Sequence, residues 1–271
     1  MVQKYINLKK SIRESDSKLL KRLPGFVINI LKRIIKQTQI NELIHNHKDK
    51  EGVDFSPSVL QELNIKMNIE GYENMPENGK CFFVANHPFG IVDGLMLLSI
   101  VGQKYGNLKA IGNELFILIP PLRPVIAAVN VFGRNHKEYI LELDKVYNSN
   151  VPIAHFPAGL VSRIKNKKVK DSEWQKSFIP KAVKCKRDVV PIYFEGRNSR
   201  HYYAICMFRK IFRIKVNIEL MLLPRELFNK RNKTMNIVIG KPISHSLFDK
   251  TKSPKQWAEH IKEEVYKLKQ K

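Results

Sequence analysis

Between residues 18 and 37 apolar side chains return every three or four positions, the period of a helix with one greasy stripe. Leu19, Leu20, Leu23, Phe26, Val27, Ile30, Leu31, Ile34 and Ile35 make the stripe. Lys18, Lys21, Arg22, Lys32, Arg33 and Lys36 face away from it, and the segment holds no acid. Pro24 starts the main helical run or kinks it. Such a helix either packs on a core with its basic side in water or lies in a bilayer interface with its cations at the phosphates. Ser56-Pro57 then reads as a cap followed by a first-turn proline, opening a second helix. From Ile65 the period changes, because Ile65, Met67 and Ile69 alternate with polar residues as in a strand.

Beyond this point short apolar runs and helical stretches take turns. Strands are predicted at 81–85, 108–112, 125–132, 152–156, 189–195, 216–223 and 236–240. Helices are predicted at 94–101, 136–148, 172–186, 199–212 and 254–269, with a basic loop at 165–170. The adjacent prolines of LFILIPPLRP, residues 115–124, exclude a long helix there. The alternation predicts an α/β fold: a mixed, largely parallel sheet flanked by helices, preceded by an N-terminal amphipathic helix. Residues 1–64 form the helical region and residues 65–271 one α/β domain.

The most informative stretch is CFFVANHPFGIVDG, residues 81–94. A buried strand stops abruptly at a polar turn, and the turn feeds an apolar helix. Such strand ends are where α/β folds place chemistry, since the strand is rigid and the loop open. His87 is the side chain here whose ordinary pKa suits proton transfer near neutrality. Asp93 is placed to accept from one ring nitrogen and leave the other as a base. The plainer alternative is a turn histidine before proline and an aspartate capping a helix.

Lys and Arg number 48 against 25 Asp and Glu, a formal charge of +23, which draws the chain to polyanions: nucleic acid, anionic lipid or a phosphorylated cofactor. Cys81, Cys185 and Cys206 have neither metal-ligand nor disulfide spacing, so buried thiols in a reducing compartment are expected, and no metal. The first residues lack the apolar core of a secretory signal, and no run reaches the roughly 18 apolar residues of a membrane span.

Arg134, Arg163 and Arg197 each follow a predicted strand within a few residues and sit near glycine. In neighbouring strands they would converge on the edge that carries His87, where a planar guanidinium grips phosphate or carboxylate with two hydrogen bonds.

NHPFGIVDG, then VFGR, FPAGLVSR and VVPIYFEG in that order, resembles the glycerolipid (lysophospholipid) acyltransferase superfamily with its four sequence blocks. GYENMPENGKCFFVANH resembles the family's lead-in, EWQKSFIPKAV its helix between the third and fourth blocks, and the likeness spans roughly residues 68–198. The HPFG…DG and FPAG…SR forms look like a bacterial subgroup of haemolysin-like proteins and acyltransferases making amino-acid-containing lipids. The resemblance implies His87 as general base and Asp93 as its orienting partner. It implies substrate binding by Asn86, Gly90, Arg134, Gly159, Ser162, Arg163 and Pro191, with Arg134 in the second block and Pro191 in the fourth, near the acyl pocket. Two departures stand out. Five residues separate His87 from Asp93 where four are usual, and Ala158 replaces the common glutamate, which weakens glycerol phosphate as acceptor.

The expected reaction is direct transfer of a fatty acyl group from a thioester, acyl-CoA or acyl carrier protein, to the hydroxyl of a lysolipid, with no cofactor besides that co-substrate. The acceptor is lysophosphatidate-like or a lyso-amino-acid lipid. No Ser or Cys sits in a nucleophile turn, so no acyl-enzyme is expected. The expected partner surface is membrane lipid, at the cytoplasmic face of the inner membrane, with the protein peripheral and no nucleic acid bound. A non-catalytic peripheral membrane protein, resting on the basic amphipathic helix alone, is the alternative. Nucleic-acid binding follows from the charge, but the cations are spread and no recognition motif is present.

Overall fold

The computed structural model describes residues 5–14, 21–113, 116–117, 119–129, 137–165, 168–212 and 217–270. The chain opens with helices α1 (Leu8–Glu14), α2 (Gly25–Ile34), α3 (Gln37–Asn46) and α4 (Phe55–Glu62). Strand β1 (Lys66–Glu70), β2 (Cys81–Ala85), helix α5 (Ile91–Tyr105), β3 (Lys109–Asn113) and β4 (Ile126–Val129) follow. Next come α6 (Lys137–Asn148), β5 (Ile153–His155), β6 (Arg163–Lys165), β7 (Lys168–Lys170), α7 (Phe178–Lys184) and β8 (Asp188–Phe194). The remainder is α8 (Arg200–Ile211), α9 (Leu223–Phe228), β9 (Thr234–Ile239) and α10 (Pro254–Lys267).

Seven strands form one sheet in the order β1-β9-β8-β2-β5-β3-β4. Strands β8, β2, β5, β3 and β4 run parallel, and β9 turns antiparallel to β8 while pairing parallel with β1. The fold is therefore the expected mixed, largely parallel sheet between helices. Alternation along the central strands fills both faces: Phe83, Ala85, Val190 and Ile192 join α4 and α5, whereas Phe82, Val84 and Val189 join α7 and α10. Burying Phe82 and Phe83 completely contributes about 1.5–3 kcal/mol each.

Ser56 lies inside α4, which starts at Phe55 with Asp54 as its N-cap, and four further expectations change. The helix at 18–37 is shorter: α2 ends at Ile34, and Lys36, in the left-handed region (φ 51°), separates it from α3; residues 18–20 lie outside the described residues. The basic loop contains a hairpin, β6 paired antiparallel with β7. The helix at 172–186 is confined to α7; residues 172–175 before it are irregular, and there Trp174 is buried with its indole on Asp171. The strand at 216–223 is absent among the described residues, where Ile218–Leu222 is a 3-10 turn leading into α9. A short apolar run does not distinguish strand from turn, and Pro224 favours a helix start just after it.

Candidate active site

The sheet order puts β2 between β8 and β5, so the ends of the first, third and fourth blocks lie side by side although far apart in sequence. Asn86 extends β2 by one rung: its Oδ1 accepts the Phe194 N–H (2.7 Å) and its Nδ2 donates to the Phe194 carbonyl (2.9 Å). This side chain is buried and its hydrogen bonds join two strands rather than reach outward.

His87 follows. Its Nδ1 lies 3.1 Å from Asp93 Oδ1, an ion-pair contact whose angle falls short of a full hydrogen bond. The imidazole stacks on Phe156 from the third block, ring centres 4.2 Å apart, and keeps 17% of its side chain exposed. Asp93 is fully buried in the first turn of α5, where the helix dipole favours its charge. It accepts from the Phe89 N–H (2.8 Å) and the Gly94 N–H (2.9 Å), so it organises the turn as well as facing the ring. Asp93 is not the helix cap: Gly90 holds that position without a side-chain cap bond, and Asp93 lies in the first turn. The five-residue spacing is absorbed by the turn, which Gly90 permits with φ at 91°; a Cβ there would lie 2.8 Å from Leu223 and 3.1 Å from Val161. Burial pulls the His87 pKa down, but the Asp93 carboxylate, then Asp171, outweigh it and Arg163, so it stands above the ordinary value.

The third block docks on the first through the backbone, with the Ser162 N–H donating to the His87 carbonyl (2.8 Å). Gly159 makes the turn, its N–H on the Phe156 carbonyl. Ala158 is buried in an apolar cluster. Arg163 does not reach outward. Its guanidinium donates to Glu219 (2.8 Å), to the Tyr202 hydroxyl (2.8 Å) and to the Val161 carbonyl, and Glu219, fully buried, also pairs with Arg209 (2.8 Å). Arg197 is exposed, and Arg134 lies outside the described residues. Of the expected arginines, Arg163 does lie close enough to His87 to oppose its charge, but its guanidinium is engaged by Glu219 rather than open to a ligand. Pro191 lies within β8 opposite Val84, its carbonyl accepting the Gly240 N–H, inside the sheet. In the fourth block it is Gly196 that touches the turn: at φ 132°, its missing Cβ leaves room for the Phe89 ring.

Two carboxylates escaped the sequence reading. Asp171 is buried and accepts from the His87 N–H (3.2 Å), the Ser162 hydroxyl (2.5 Å) and the Trp174 indole (2.9 Å). Its signal was an acid closing the acid-free run 163–170. Glu219 had no such signal, since its partners are distant in sequence. His155, one residue before Phe156, is buried with both ring nitrogens unpartnered among the described residues, and burial pushes its pKa down to about 4. Among the described residues no group of three or more His, Cys, Asp or Glu is placed to hold a metal, and no helix is long and apolar enough to cross a membrane.

Comparison with known proteins gives the same family. The chain is 40% identical over 264 residues to a protein of Phocaeicola vulgatus named lyso-glycine lipid O-acyltransferase, covering 97% of this chain and 95% of that one. The protein of the same name from Bacteroides thetaiotaomicron is likewise 40% identical, covering 97% of each. Among solved structures, the 1-acyl-sn-glycerophosphate (LPA) acyltransferase of Thermotoga maritima is similar with a TM-score of 0.47 and 19% identity, over 97% of this chain and 88% of that one. The family described as Acyltransferase matches residues 10–271, and with these relatives it identifies the chain as an acyltransferase of the glycerolipid acyltransferase superfamily.

Proposed function

We propose that the protein transfers a fatty acyl group from acyl carrier protein or acyl-CoA to the hydroxyl of a lyso-glycine lipid or a close lyso-amino-acid lipid. The observation that carries this reading is the His87–Asp93 contact at the end of β2 in a chain 40% identical to two lyso-glycine lipid O-acyltransferases. With Nδ1 facing Asp93, Nε2 takes the acceptor proton as its oxygen attacks the thioester carbonyl. The C–S bond then breaks, and the imidazolium returns the proton to the leaving thiolate. Asp93 stabilises the imidazolium between the two transfers. The engagement of Arg163 by Glu219 favours this acceptor over lysophosphatidate, because a dianionic phosphate would have to displace a buried carboxylate.

A membrane surface at the cytoplasmic face of the inner membrane belongs to the same proposal. Helix α2 has no fully buried residue, and Phe26 on it is 68% exposed. Met207, Phe208, Ile211 (69%) and Phe212 (62%) are exposed on and just after α8, with Arg209 and Lys210 among them. Ile34 of α2 packs on the Tyr202–Tyr203 cluster that carries α8, and Val161 and Leu223 of that cluster border Gly90. Apolar side chains among cations beside the catalytic turn fit an anionic bilayer holding the acceptor by its tail.

The test is acylation of purified lyso-glycine lipid and lysophosphatidate, each with both donors. Turnover of the glycine lipid is expected, falling about 10²–10⁴-fold in His87→Ala. Undiminished turnover in that variant would remove the base, and preference for lysophosphatidate would remove the acceptor.

A further inference from the structure

We infer that Asp171 is a positioning residue for acyl transfer: its carboxylate fixes the His87 backbone and ties the third-block turn to it, so that the imidazole is presented in one place. The inference rests on His87 acting as the base. Three contacts close a ring. The His87 N–H and the Ser162 hydroxyl both donate to Asp171 Oδ1, at 3.2 and 2.5 Å, while the Ser162 N–H donates to the His87 carbonyl at 2.8 Å. The Trp174 indole holds Oδ2 at 2.9 Å, and the Asp171 N–H donates to the Tyr266 hydroxyl of α10 at 2.8 Å. Main chain on both sides of the His87 Cα is thereby fastened to one side chain, which is itself anchored to the last helix.

A buried carboxylate is costly and needs full compensation, so its presence calls for a reason. Among the described ion pairs none joins Asp171 to a lysine or arginine. Two of its three donors belong instead to the first and third blocks. The cation that interacts with it is the His87 ring once protonated, the charge that forms during the reaction. Burial raises the Asp171 pKa and the three donors hold it down. Asp93 and Asp171 therefore approach the same histidine from the ring and from the backbone, with Arg163 as the opposing charge.

The experiment uses the full chain with three variants, Asp171→Asn, Asp93→Asn and Ser162→Ala. Asp171→Asn is expected to lower kcat about 10–100-fold and change KM less than about threefold, since a displaced base slows chemistry and leaves binding intact. The acid limb of the kcat/KM profile, set by protonation of His87, is expected to move to lower pH in Asp171→Asn and further in Asp93→Asn. NMR titration of the His87 ring is expected to show the same order and does not depend on turnover. The titration reads the Asp171 charge at the ring, while kcat of the folded variant reads its hold on the His87 backbone, which a fold-supporting role alone would leave unchanged. Wild-type kcat and an unmoved His87 titration in Asp171→Asn would overturn the inference. Should that variant fail to fold by circular dichroism, Ser162→Ala decides: a kcat loss of about 3–10-fold supports the ring of contacts, and unchanged kcat refutes it. Absence of turnover by the wild type on any lysolipid would instead count against the proposed reaction, with the titration still testing Asp171.

Discussion

His155 offers a test of the sheet's interior that needs no substrate. In the folded chain its pKa is about 4, against an ordinary 6.5, because burial among apolar groups disfavours the cation. The unfolded chain accepts a proton near pH 6.5 and the folded chain does not, so His155 contributes stability above that pH. The contribution is lost as pH falls towards the folded value. From this gap, acidification from pH 7.5 to 5 costs about 2 kcal/mol, and to pH 4 about 3 kcal/mol. His155→Leu removes both the titrating group and two unpartnered nitrogens from the apolar cluster around Phe178. Urea denaturation followed by circular dichroism, at pH 7.5 and 5, gives the four stabilities needed. The variant is expected to match the wild type within about 1 kcal/mol at pH 7.5 and to exceed it at pH 5 by about 2 kcal/mol more. His87, raised and so acting in the opposite sense, is present in both proteins and cancels in the difference. Equal differences at the two pH values would refute the argument.

Three other outcomes are expected. Glu219→Gln leaves Arg163 and Arg209 facing each other without their carboxylate, costing about 3 kcal/mol and lowering Tm by roughly 6–12 °C in a thermal scan; a shift under 2 °C would show that the cluster is solvated. Gly196→Ala strains a backbone at φ 132° and puts a Cβ 2.5 Å from the Phe89 ring, so stability drops by about 2 kcal/mol and kcat falls with it; an unchanged kcat would separate the fourth block from the catalytic turn. Arg187 is fully buried, donating to the carbonyls of Tyr147, Val146, Ser149 and Val151 where α6 ends. Arg187→Met strands these acceptors and costs about 3 kcal/mol by urea denaturation, whereas a loss below 1 kcal/mol would mean water replaces the guanidinium.

What the sequence carried, it carried through period and local chemistry. Alternation marked β1, continuous apolar runs marked β2 and β8, and the polar turn after Ala85 marked the site, because a strand end with His, Gly and Asp is a local pattern. The roles of the arginines were not local. Arg163 lies near the sheet edge as expected, yet its partner Glu219 is 56 residues away and sits in a stretch that reads as a strand. Asp171 was hidden for a similar reason: its neighbours in sequence are a basic hairpin, while one of its hydrogen bonds goes to a turn 84 residues earlier. Buried charges choose partners by three-dimensional proximity, which period does not encode.

The pairing of β1 with β9 has a cost during synthesis. Asn68 and Asn236 are in register, so the first strand emerges from the ribosome 168 residues before the strand that covers it. At 5–20 residues per second that is roughly 10–30 s with an unpaired edge on the nascent chain. Because β9 also covers the outer side of β8, neither flank is closed until translation has nearly finished. Such a protein gains from chaperones that hold apolar strands apart, and premature termination between residues 194 and 234 leaves the β1 and β8 edges both unpaired on one polypeptide.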